Sequence, residues 1–114
     1  MPKKIRDLTG ILEEKHAKNV VILKLSRVAT FTNYFIICSA ESFPQVKAIA
    51  EEVALRLPRK HHLGKEGFPA SSWVLLDYGD FILHIFLPET RKFYGLERIW
   101  ADAPSQTIPS RPSL

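Results

Sequence analysis

The chain has 114 residues, room for one core and its tails and no more. Hydrophobic residues make up 46% and charged residues 25%, which is globular composition and excludes a chain disordered over most of its length. A single cysteine excludes an internal disulfide and the multi-cysteine zinc sites, while 16 Lys and Arg against 12 Asp and Glu give a net charge of +4, a mild lean towards nucleic acid or a ribonucleoprotein.

Met1 to Asp7 is charged, and no apolar run of signal-peptide or membrane-helix length follows it, so a soluble cytoplasmic protein without a membrane partner is expected. Ile5, Leu8, Ile11 and Leu12 recur near helical spacing and predict an amphipathic helix over about 5 to 17 despite Gly10. Val20, Val21, Ile22, Leu23 and Leu25 form a short, continuously apolar, β-branched run that suits a central strand buried on both faces. Tyr34 to Cys38 repeats that signature after a polar stretch.

Ser42 and Gln45 have capping-box spacing, so a helix begins there. Val46, Ile49, Ala50, Val53 and Leu57 follow on one side, with Lys47, Glu51, Glu52 and Arg56 on the other, and Pro58 ends the pattern. Residues 58 to 72 read as an irregular connection. Trp73–Asp77 and Phe81–Leu87 are strand-like, and the turn chemistry of Tyr78 and Gly79 joins them as an antiparallel hairpin. Both faces of that hairpin are largely apolar, with Trp73 and Leu75 opposite Val74 and Leu76, so one face needs a cover. Pro88 ends the second strand, and Glu89 to Trp100 then suggests a short helix and a final apolar segment. The Pro-rich remainder predicts one domain over 1–103 and a mobile tail over 104–114.

No phosphate-cradling glycine loop, nucleophile elbow or His-Glu-x-x-His pattern occurs, which argues against an enzyme, and no cofactor or metal is expected. Asp77 and Asp80 have hard-cation ligand chemistry, but a turn between strands is also where aspartate caps backbone donors. His84 between Leu83 and Ile85 reads as a packed or interface residue, and His61 with His62 as part of a solvated loop. Cys38 lies in an apolar run and reads as a small buried hydrophobe. Arg56, Arg59, Lys60 and Lys65 fall within ten residues without an acid. That window is either a solvated loop or a contact to RNA phosphates. Trp73, Tyr78, Phe93, Tyr94, Arg98 and Trp100 are of the types that anchor interfaces, and equally of the types that close a small core.

From Glu66-Gly67 through Trp73-Val74-Leu75-Leu76-Asp77-Tyr78-Gly79-Asp80, His84 and Phe86 to Arg91, Tyr94, Leu96-Glu97-Arg98, Trp100 and Asp102-Ala103, the chain resembles the ribosomal silencing factor family, also called Iojap-like proteins. Thr32-Asn33-Tyr34-Phe35 stands where that family usually has Thr-Asp-Tyr-Phe, and Gln45 to Ala50 matches its central helix. Asn33 keeps the size and capping ability of aspartate without its charge. The resemblance covers roughly residues 5 to 103. It implies an α/β domain, a mixed sheet flanked by helices, of nucleotidyltransferase-like fold lacking the catalytic motifs.

The resemblance further implies binding to the large ribosomal subunit, through its fourteenth universal protein at the intersubunit face, so that the small subunit cannot join when nutrients are short. Support of large-subunit assembly is the variant it implies for organelles. Carried over residue by residue, the expected contact surface is Trp73, Leu75, Asp77 and Tyr78, with Tyr94, Glu97 and Arg98 as a second group. Arg56, Arg59, Lys60 and Lys65 are the candidate RNA contact, and an exposed strand edge leaves room for a homodimer. The readings opposed to the silencing factor are an RNA-binding module built on the basic window and a residual metal-dependent enzyme built on Asp77 and Asp80.

Overall fold

A computed structural model describes residues 2–58 and 72–109, with the backbone alone at 65–66. In chain order the elements are α1 (Lys3–Glu14), β1 (Lys18–Lys24), β2 (Tyr34–Ser39), α2 (Phe43–Arg56), β3 (Lys65–Glu66), β4 (Trp73–Asp77), β5 (Phe81–Phe86), α3 (Pro88–Tyr94), α4 (Leu96–Ile99) and β6 (Ser105–Ile108). The strands form one six-stranded sheet in the order β3-β4-β5-β2-β1-β6. β2 runs parallel to β5 and the other pairs are antiparallel, which is the mixed, helix-flanked α/β architecture expected.

Helix α1 ends at Glu14, short of residue 17, because the chain turns through left-handed backbone at His16 (φ 61) before entering β1. Its buried residues are Ile5, Leu8, Ile11 and Leu12, and Gly10 is exposed, where it costs propensity but no packing. At the start of α2 the Gln45 backbone N–H donates to Ser42 Oγ at 3.2 Å. The Gln45 side chain departs from the expected capping box. Its Oε1 accepts from the Glu41 N–H at 2.7 Å, one residue before the cap, and its Nε2 donates to the His16 carbonyl at 3.2 Å. One side chain therefore ties the head of α2 to the end of α1.

α1 and α2 cover one face of the sheet. Leu8, Leu12, Val46, Ile49 and Val53 pack there on Ile36, Cys38, Leu76, Leu83 and Ile85, all fully or nearly fully buried. Truncating Ile49 to alanine in such a layer costs roughly 2 to 5 kcal/mol. The opposite face holds Leu23, Leu25, Phe35, Ile37, Ile82 and Phe86, roofed only in part by Leu96 and Trp100.

Two segments differ from expectation. Lys65 and Glu66, in the stretch expected to be irregular, pair with Leu76 and Leu75 as a two-residue edge strand. The tail expected to be mobile from residue 104 instead supplies β6, with Val21 opposite Thr107 and Ile22 opposite Gln106. Its side chains are mostly exposed, so the backbone ladder and the packing of Ile108 against the core hold it and no apolar alternation announces it. β6 makes β1 an inner strand, paired with β2 on one edge and with β6 on the other. The stretch from Pro88 breaks into α3 and α4 at Gly95, whose φ of +57 favours glycine and where a Cβ would meet the Arg98 guanidinium.

Candidate protein-interaction surface

Strand alternation places Trp73, Leu75 and Asp77 together on the face away from α1 and α2, each half-buried, while Val74 and Leu76 enter the helical core. Register then sets Trp73 opposite Phe86 and Leu75 opposite His84. The rings on this face touch in series. Phe31 lies 5.9 Å from both Phe35 and Trp100, Phe35 lies 4.4 Å from His84, and His84 lies 5.9 Å from Trp73. Trp73 continues to Tyr94 at 4.7 Å and Tyr94 to Phe93 at 5.2 Å. An aromatic belt thus crosses the sheet, buried at its centre and open at its ends, where Phe31 is 55%, Tyr94 45% and Phe93 77% exposed.

The buried link is a hydrogen bond. Trp73 Nε1 donates to His84 Nδ1 at 3.1 Å. Because Nδ1 accepts, the neutral imidazole carries its proton on Nε2, and that atom is buried without a hydrogen-bond partner. Burial drives the His84 pKa down to about 4, so the ring is neutral at physiological pH.

Helix α3 stands beside the belt and separates two grooves. On one side Ser72, Trp73, Thr90, Phe93 and Tyr94 line a groove of about 500 Å³. On the other a larger groove of about 670 Å³ is lined by Ser39, Arg91, Lys92, Glu97, Arg98 and Thr107, among others. Arg91 braces this second side. Its Nε donates to Glu97 Oε1 at 2.8 Å, and its Nη1 donates to the Asn19 carbonyl at 2.8 Å and to Ser39 Oγ at 2.9 Å.

The structure sorts the expected contact residues into three places. Trp73, Leu75 and Tyr94 come together on the belt face. Glu97 and Arg98 line the groove across α3. Asp77 and Tyr78 are tied into the hairpin: Asp77 Oδ1 accepts from the Gly79 N–H at 2.8 Å, and Tyr78 Oη donates to the Leu57 carbonyl at 2.7 Å, packing against the helical core. Of the basic window, Arg56 bonds to Glu14 and sits 3.9 Å from Glu52. Arg59, Lys60, His61 and His62 lie outside the described residues, as does the side chain of Lys65. Cys38 is buried, which pushes its thiol up to about 12.

Residue-type reasoning did not single out Phe31 or the bracing role of Arg91. A lone phenylalanine in a polar stretch carries no pattern, and the partners of Arg91 stand 52 and 72 residues away in the chain. The loop holding Phe31 is pinned to the turn between β4 and β5. Thr32 Oγ1 donates to the Gly79 carbonyl at 2.9 Å and the Asn33 N–H donates to the Asp80 carbonyl at 3.1 Å, so the backbone at Asn33 makes its bond without a carboxylate there.

Together these features define an α/β domain with an open aromatic sheet face, in which no group of three or more His, Cys, Asp or Glu among the described residues is placed to hold a metal ion. No described helix is long and apolar enough to cross a membrane. The sequence pattern of the RsfS family, "Ribosomal silencing factor during starvation", matches residues 1–113, and the chain belongs to that family. It is 40% identical over 109 residues to ribosomal silencing factor RsfS of Zymomonas mobilis, spanning 94% of this chain and 82% of that protein. Against RsfS of Bacillus subtilis it is 36% identical over 94 residues, 81% of this chain and 80% of the relative. A crystal structure of a protein from Chromobacterium violaceum, 28% identical, superposes with a TM-score of 0.80 and covers 97% of this chain and 88% of that one.

Proposed function

We propose that this protein is a ribosomal silencing factor that binds the large ribosomal subunit at its intersubunit face, through the fourteenth universal protein, and blocks joining of the small subunit by occupying that surface. The aromatic belt carries the reading. Half-exposed Trp and Tyr side chains around a desolvated centre are the anatomy of a binding hot spot, and a soluble domain that leaves such a face uncovered has it for a partner. Family membership supplies the ribosome as that partner's setting. Steric blocking needs affinity and position but no bond making, which fits a face built of rings and aliphatic side chains.

The test is sedimentation of purified subunits with and without the protein. It is expected to travel with the large subunit and to lower the yield of joined ribosomes. Binding to neither subunit, or binding that leaves joining unchanged, overturns the proposal.

A further inference from the structure

Beyond the aromatic belt, the groove on the far side of α3 has a different chemistry. Three cations, Arg91, Lys92 and Arg98, line it against one carboxylate, Glu97, and that carboxylate already accepts from Arg91 Nε at 2.8 Å. Among the described residues neither Lys92 nor Arg98 has a carboxylate partner, and both are exposed. Arg98 is nonetheless held. Its guanidinium lies so close over Gly95 that a Cβ there would fall 2.5 Å from Nη2, and Nη2 donates to the Lys92 carbonyl at 3.3 Å. Ser39 Oγ accepts from Arg91, which leaves its hydroxyl proton available to an acceptor in the groove, and Thr107 adds a second hydroxyl from β6.

Uncompensated cations beside hydroxyl donors are the elements of an oxyanion site, and a guanidinium with N–H groups left over from its one backbone bond suits phosphate. Among the described residues no aromatic side chain lines the groove, so none of them there stacks a base. That favours the backbone of a polynucleotide over a free nucleotide. We propose that this groove binds phosphates of an RNA backbone through Lys92 and Arg98, giving the protein a nucleic-acid contact beside its protein-binding face. The proposal rests on the ribosomal reading for the source of the RNA, and it moves Arg98 from the protein contact to the RNA contact.

The experiment is fluorescence anisotropy of a short labelled RNA hairpin over a range of salt concentrations. Wild type is expected to bind with a steep salt dependence. The Lys92→Gln/Arg98→Gln variant is expected to lose about tenfold in affinity at low salt and to flatten the log–log salt slope by about two, one for each phosphate contact removed. Lys92→Gln alone, an exposed change that leaves the Arg98 packing intact, is expected to flatten it by about one. An Arg59→Gln/Lys60→Gln/Lys65→Gln variant tests the competing basic window and is expected to keep RNA affinity. Three results overturn the proposal: no RNA binding by wild type, a loss that follows the 59–65 variant instead of the groove variants, or displacement of RNA by polyglutamate as effectively as by unlabelled RNA. If the groove variants lose RNA while wild type fails to sediment with the large subunit, the silencing reading falls and this site stands.

Discussion

Trp73 Nε1 donates to His84 Nδ1 at 3.1 Å, joining a half-buried ring of the aromatic belt to a ring buried between Phe35 and Phe86. The bond exists only while His84 is neutral. Desolvation sets its folded pKa near 4 against an ordinary 6.5, so the unfolded chain binds the proton more tightly. Stability is therefore unaffected by this group above about pH 6.5 and falls as pH drops from there towards 4, by up to about 3 kcal/mol in all. Urea midpoints at intervals from pH 7.5 to 5 should decline in wild type and decline less in His84→Phe, which has nothing to protonate. Parallel declines would mean that other groups set the acid limb.

Truncating the belt should weaken large-subunit binding without unfolding the domain. Tyr94→Ala removes an exposed ring that packs against Trp73, and Trp73→Ala removes the half-buried ring bonded to His84. We expect losses on the order of 1 to 4 kcal/mol, larger for Trp73. Quantitative co-sedimentation, with circular dichroism to confirm folding, measures both. Phe31→Ala, at the other open end, decides how far the contact extends, and unchanged binding there would confine it to the Trp73 end.

Tyr78 marks the border between fold and site. Its hydroxyl bonds the Leu57 carbonyl at the end of α2, so its expected role is to hold the hairpin to that helix. Tyr78→Phe should lower stability by about 1 kcal/mol and leave subunit binding unchanged. A variant that keeps its stability but loses binding would return Tyr78 to the contact surface.

What could be read from the sequence was local. The Ser42 cap, the Val46-Ile49-Val53 stripe and the two-faced hairpin each declare themselves within a short stretch of chain, and all three stand in the structure. Partners distant in the chain stayed hidden. β6 pairs with β1 across more than eighty residues through backbone groups, which have no residue signature, and Tyr78 finds Leu57 21 positions away. The belt was partly visible, because aromatic types hinted at an interface. Only the sheet register shows that Trp73 and His84 share a face while Tyr78 does not.

Arg91 is the last test, because its loss separates bracing from binding. It is 12% exposed and joins α3 to Glu97, to the Asn19 carbonyl ahead of the β1 core and to Ser39 at the end of β2. Arg91→Ala leaves the Ser39 hydroxyl and the Asn19 carbonyl without their donor and should cost roughly 2 to 4 kcal/mol, read from the urea midpoint. Arg91→Lys should recover little, since an ammonium on a flexible stem cannot match three acceptors that a planar guanidinium reaches at once. Glu97→Gln, which keeps an acceptor and removes only charge from a half-exposed partner, should cost less than about 1 kcal/mol. If Arg91→Lys instead proves as stable as wild type, the charge and not the fork holds α3 in place, and the groove beside it is less rigid than the three bonds imply.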